Sequence, residues 1–165
     1  MYIYALMKVL KYSPFYLLLL SFISTTKPVP KLNFEQLEKL CQKNNDTLYI
    51  VNYWATWCKP CVGEMPYFFE SAKKFKAQKV KIVFASLNSL KETDKVERFV
   101  ESKKIEQDVF ILNAGNPNVW IDKVDPNWGG SIPATIMYKQ KEKKFFKEGE
   151  ITQTELDSII NLKLK

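Results

Sequence analysis

The chain has 165 residues, enough for one domain and too few to expect two. It carries 25 Lys and Arg against 18 Asp and Glu, a formal net charge of +7, and no histidine. Without imidazole there is no Ser-His-Asp triad, no Cys-His protease pair, no His-ligated haem and no His-containing zinc site. Three cysteines are too few for a disulfide-dense scaffold.

The first stretch, "MYIYALMKVLKYSPFYLLLLSFISTTKP", places Lys8 and Lys11 ahead of an apolar run over residues 15–23, followed by small polar residues. That order is the pattern of a secretory signal peptide, and the run is short for a membrane span. Residues 1–26 are therefore read as a signal peptide or an N-terminal anchor, and export to a bacterial periplasm is the expectation. Residues 27–32 read as linker, because Pro28 and Pro30 disfavour a regular element. The folded domain is expected over residues 33–165.

"NFEQLEKLCQKNN" reads as a helix: Asn33 stands at the cap position, Gln36 three residues on, and Phe34, Leu37, Leu40 and Cys41 share a face. Cys41 on that face is expected to be a buried thiol. "TLYIVNYWA" is an apolar, β-branched and aromatic run, which predicts a central strand. "EMPYFFESAKKFKAQK" has Met65, Phe68, Phe69, Ala72 and Phe75 at helical spacing, with Pro66 inside it. "VKIVFASLN" is a second buried strand. "SLKETDKVERFVESKKI" is a helix with Val96, Phe99 and Val100 on its core side, and "DVFILNAG" a short strand. A loop-rich stretch through "NPNVWIDKVDPNWGGSIPAT" follows, long enough to suggest function, with a short helix near residues 119–124. Residues 135–138 and 144–147 form the arms of a hairpin. A last helix starts at Thr152, with Glu155 three residues on and Leu156, Ile159 and Ile160 inward. This order predicts an α/β fold with a mixed sheet covered by helices on both faces. The positive charges alternate with acids, as in "KQKEKKFFKEGE". They read as a basic surface and not as a nucleic-acid groove.

The chemistry centres on "VNYWATWCKPCVGEMP". A Cys-x-x-Cys turn entering a helix puts Cys58 where unpaired amides point outward, which favours its thiolate. Cys61, one turn deeper, is placed to attack a mixed disulfide formed at Cys58. Trp57 offers a flat contact surface, Pro60 restricts the turn, and Lys59 adds a positive field near the sulfur. A zinc site lacks its other ligands. Copper carriage through two thiolates is chemically compatible, and so is a plain structural disulfide, although so small a loop constrains little of the unfolded chain. No metal is expected.

The motif W-A-x-W-C-x-P-C at the end of an apolar strand resembles the thioredoxin superfamily, and within it the exported TlpA and ResA kind of thiol-disulfide oxidoreductase. The similarity covers residues 34–162. The resemblance implies a thioredoxin fold, with Cys58 as attacking and Cys61 as resolving cysteine and Trp54 and Trp57 as active-site aromatics. Asn52 falls where cytosolic thioredoxins place a buried aspartate. Glu64 falls where the exported group places an active-site acid able to exchange a proton with Cys61; without the resemblance it reads equally as a solvated glutamate. "SIPAT" places Pro133 at the family's cis-proline, with the Ile132 backbone offered to a docked substrate; the residues alone suggest an ordinary trans turn. Trp128 reads either as part of the site's rim or as a core residue pinning the long loop. One departure is the helical stretch "NFEQLEKLCQKNN", where many members carry a hairpin. The function implied is reduction of protein disulfides outside the cytoplasm, with no bound cofactor. The implied partners are disulfide-containing proteins and an upstream thiol reductant, membrane-bound or soluble, acting on a monomer. A thiol-dependent peroxidase and a non-catalytic scaffold are the competing readings.

Overall fold

The computed structural model describes residues 28–165; the leader expected at residues 1–26 lies outside them. Six strands form one sheet: β1 (Lys31–Leu32), β2 (Leu48–Trp54), β3 (Val80–Ser86), β4 (Asp108–Leu112), β5 (Ala134–Lys139) and β6 (Glu142–Glu148). Five helices accompany them: α1 (Phe34–Cys41), α2 (Lys59–Lys74), α3 (Thr93–Ser102), α4 (Ile121–Val124) and α5 (Gln153–Leu164). The strand order is β1-β4-β3-β2-β5-β6. The first four run parallel, and β5 and β6 are antiparallel additions beside β2.

Strand β2 is buried along its whole length, which explains its unbroken apolar run. Its side chains alternate between two cores, as the pleat requires. Leu48, Ile50 and Trp54 join Phe68, Phe84 and Leu156 in the core on one side. Tyr49, Val51 and Tyr53 join Phe34, Leu37, Trp120 and Trp128 in the core on the other. Asn52 lies in the first alternation, so its amide points to the α2 side, and this period fixes its role.

Helix α1 starts with the expected capping box: Asn33 Oδ1 accepts from Gln36 N–H, and Gln36 Oε1 accepts from Asn33 N–H. Cys41 is buried on its inner face, and burial pushes its thiol up to about 12. Thr152 caps α5 through Glu155 N–H, while the Glu155 carboxylate pairs with Lys147 instead of reaching back.

The stretch expected as linker differs from that reading. Lys31–Leu32 form an edge strand, in which Ile111 N–H donates to Pro30 O and Asn113 N–H to Leu32 O. Val29 is buried, and its N–H donates to Glu97 Oε1. The prolines are compatible with this because an edge strand leaves one side of its backbone unpaired. No helix among the described residues is long and apolar enough to cross a membrane.

Candidate active site

The parallel strands end together at one edge of the sheet, and the chain leaves β2 there. After Trp54 it turns through Ala55–Cys58, with Cys58 N–H donating to Ala55 O, and enters α2 at Lys59. Cys58 is the N-cap of that helix, and Pro60 stands in its first turn, where a missing amide proton is harmless. Cys58 and Cys61 are joined as a disulfide, with their Cα atoms 5.3 Å apart. Cys61 N–H donates to Cys58 Sγ at 3.3 Å, so the helix terminus is aimed at that sulfur. Cys58 is 5% exposed and Cys61 fully enclosed. The first cysteine is thus nearly covered, so a reacting group must come to it in a defined direction.

The expected residues around the pair divide into rim and interior. Trp57 is 64% exposed beside Cys58, and Lys59 is exposed at the first helical position. Trp54 is fully buried, packed on Phe84 and Phe99, and sits behind the pair as core. The Ile132–Pro133 bond is cis, and Ile132 O lies 3.6 Å from Cys58 Sγ. This brings together two positions 74 residues apart in sequence. Trp128 is buried against Tyr53, Trp120 and Phe146, and its indole N–H donates to Ser131 O. It is therefore the core residue that pins the long loop.

Glu64 is buried, which overturns its reading as a solvated glutamate. On α2 it follows Cys61 by three residues and precedes Phe68 by four, so it belongs to the helix face that enters the core. Its Oε1 accepts from Asn52 Nδ2 at 2.8 Å and its Oε2 from Ile151 N–H at 2.8 Å. Asn52 Nδ2 also donates to Thr135 Oγ1 across the β2–β5 pair. Burial pushes the Glu64 carboxyl up to about 7, against the opposing pull of the Ile151 amide and the Asn52 bond. The site thus holds a buried carboxyl group whose titration lies near neutrality, on the same helix face as Cys61.

Two supports were not visible in the sequence. Asn88, buried just beyond β3, accepts from Thr56 N–H and donates to Thr56 Oγ1, fixing the turn that carries Trp57 and Cys58. Glu148, at the end of β6, accepts from Gly129 N–H and Ser131 N–H, in the loop before the cis bond. The only sequence signals are an Asn closing a strand and an acid before Gly149, both too common to single out. Among the described residues no cluster of three or more Cys, Asp or Glu is arranged to hold a metal ion.

Comparison with known proteins agrees with this geometry. A thiol-disulfide oxidoreductase ResA of Geobacillus kaustophilus is 31% identical over 114 residues, which are 65% of this chain and 58% of that relative. A ResA of Bacillus thuringiensis is 39% identical over 66 residues, 39% of this chain and 36% of the relative. In both, the matched stretch is under two thirds of the relative's length. Among solved structures, a thioredoxin-related protein of Neisseria meningitidis is 27% identical with a TM-score of 0.57, covering 70% of this chain and 84% of the other. A thiol:disulfide interchange protein of Chlorobium tepidum, 22% identical with a TM-score of 0.60, covers 73% and 82% and shares the fold. The six-stranded mixed sheet is thus a thioredoxin fold. Residues 26–143 match the AhpC/TSA family, and the chain belongs to that family.

Proposed function

We propose that the protein is a thiol-disulfide oxidoreductase that reduces protein disulfides outside the cytoplasm. The observation that carries this is the Cys58–Cys61 disulfide at the α2 terminus, with the first sulfur 3.6 Å from the Ile132 carbonyl. The disulfide form is the end state of one reductive turn. In the reduced form, Cys58 as thiolate attacks one sulfur of a partner disulfide. A Cys58–partner disulfide forms and the partner's other sulfur leaves as a thiolate, which takes a proton from solvent. Cys61 loses its proton to the Glu64 carboxylate and attacks Cys58 Sγ. The second partner thiol leaves and the Cys58–Cys61 disulfide closes. Two electrons have moved from the pair to the partner, and an upstream dithiol protein must return them.

Trp57 and the Ile132 backbone supply the surface on which an extended partner lies, in the manner of strand addition. Pro60 and Pro133 shape that surface, and Lys59 lends it positive charge. Asn52 holds Glu64 in place. Export rests on the leader pattern of residues 1–26, and periplasmic residence and membrane anchoring of the reductant are parts of the same proposal. Peroxide reduction is less suited, because the resolving cysteine stands one helical turn away and the sulfur is offered at a backbone edge.

The test is capture. A Cys61→Ser variant incubated with oxidised insulin should accumulate a covalent mixed disulfide at Cys58, and Cys58→Ser should capture none. Turnover of hydrogen peroxide exceeding that of insulin in the unmodified protein would contradict the reading.

A further inference from the structure

The loop leading to Ile132 is held by a carboxylate the redox chemistry does not require. Glu148 ends β6 and stands opposite Ala134 in the β5–β6 register. Its Oε2 accepts from Gly129 N–H at 3.0 Å and its Oε1 from Ser131 N–H at 2.9 Å. The Ser131 peptide is also held from its other end, where Trp128 Nε1–H donates to Ser131 O at 2.9 Å. Beyond the cis bond, Gly149 N–H donates to Pro133 O at 2.8 Å. Residues 129–133 are thus tied at four points, two of them on one side chain, and Ile132 O is delivered to Cys58 Sγ. Gly129 leaves room for the carboxylate, since a Cβ there would come 3.3 Å from Glu148 Oε1. The hydrogen bond from the Gly129 amide, aided by Ser131 and opposed by partial burial, keeps this carboxyl below its usual range, so it is ionised and its bonds are charge-assisted.

We propose that Glu148 is a positioning residue for partner binding: its paired hydrogen bonds to Gly129 and Ser131 preset the Ile132 backbone edge for an extended polypeptide. The proposal rests on the disulfide-reductase reading above. A small disulfide reaches Cys58 without using the backbone edge along its length, whereas a polypeptide needs that edge in register. Loss of the clamp therefore falls more heavily on polypeptide substrates, through KM.

The test compares insulin with hydroxyethyl disulfide, with dithiothreitol as reductant, in the unmodified protein, Glu148→Ala and Glu148→Gln. In Glu148→Ala the ratio of kcat/KM for insulin to that for the small disulfide should fall about tenfold, carried by KM, as expected for losing hydrogen bonds to a charged group. Glu148→Gln keeps the shape but offers one acceptor to two donors, and should fall by a smaller factor in the same direction. Should Glu148→Ala fail to fold, the Gln variant decides. A ratio within twofold of the unmodified protein in the folded variants would overturn the proposal, including the case where both substrates decline in parallel. Failure of the underlying reading is distinct: the unmodified protein would then reduce neither disulfide.

Discussion

At the scale of single residues, Glu64 is the acid on the Cys61 face of α2 whose carboxyl is pushed up toward neutrality by burial. Its carboxyl is enclosed, and burial outweighs the two hydrogen bonds that favour its charge, so the folded state holds its proton up to about pH 7. The unfolded chain releases that proton near the ordinary glutamate value. Between the two values the folded form binds more protons, so stability falls as pH rises from about 4.5 to 7 and is level above. Denaturant unfolding at pH 5 and pH 8 should show this group's part of the loss, on the order of 2 kcal/mol, removed in Glu64→Gln. The same substitution should lower kcat for disulfide reduction about a hundredfold and abolish its rise through pH 7, because the proposed mechanism gives the Cys61 proton to this carboxylate. An unchanged pH profile would remove Glu64 from the mechanism. The family resemblance singled this residue out three places after Cys61, while the residues alone left it equally a solvated glutamate and did not show its burial. Its partners were hidden: Ile151 contributes only a backbone amide, from 87 residues away.

At the scale of elements, what could be read was what is local. The strand β2 run, the Asn33 capping box and the apolar faces of α2, α3 and α5 depend on neighbours within one or two turns, and the structure has them where the pattern put them. Strand β1 could not be read, because two residues just after Pro30 become a strand only when β4 lies alongside. The same holds for Asn88, whose partner Thr56 is 32 residues earlier. Asn88 joins the end of β3 to the turn carrying Trp57, and its amide makes bonds at both ends to Thr56. Asn88→Ala leaves a part-buried amide proton on Thr56 without its acceptor, and should destabilise the fold by about 1–2 kcal/mol, measured by urea unfolding. Insulin reduction should fall with it, since the turn also sets where Cys58 begins α2. Full stability in that variant would show that the turn is held by its own backbone.

At the scale of the whole molecule, the sheet order turns separate stretches into one site. Strand β2 pairs with β3 on one side and β5 on the other, so the turn after Trp54, the Asn88 bend and the Ile132–Pro133 segment meet at one edge. Two separate cores, one on each face, hold that edge. The arrangement assigns the three thiols different fates once the disulfide is reduced. Cys58 lies at the helix terminus and the solvent edge, Cys61 is enclosed behind it, and Cys41 is buried across the sheet with its thiol kept protonated. The central claim, that Cys58 is the attacking sulfur, is tested most directly by the order of alkylation. The reduced, folded protein is treated with iodoacetamide at neutral pH and the labelled cysteines are followed by mass spectrometry. The account predicts label on Cys58 at least about tenfold faster than on Cys61 or Cys41, as thiolate fraction and access dictate. Label appearing first on Cys61 or Cys41 would contradict it.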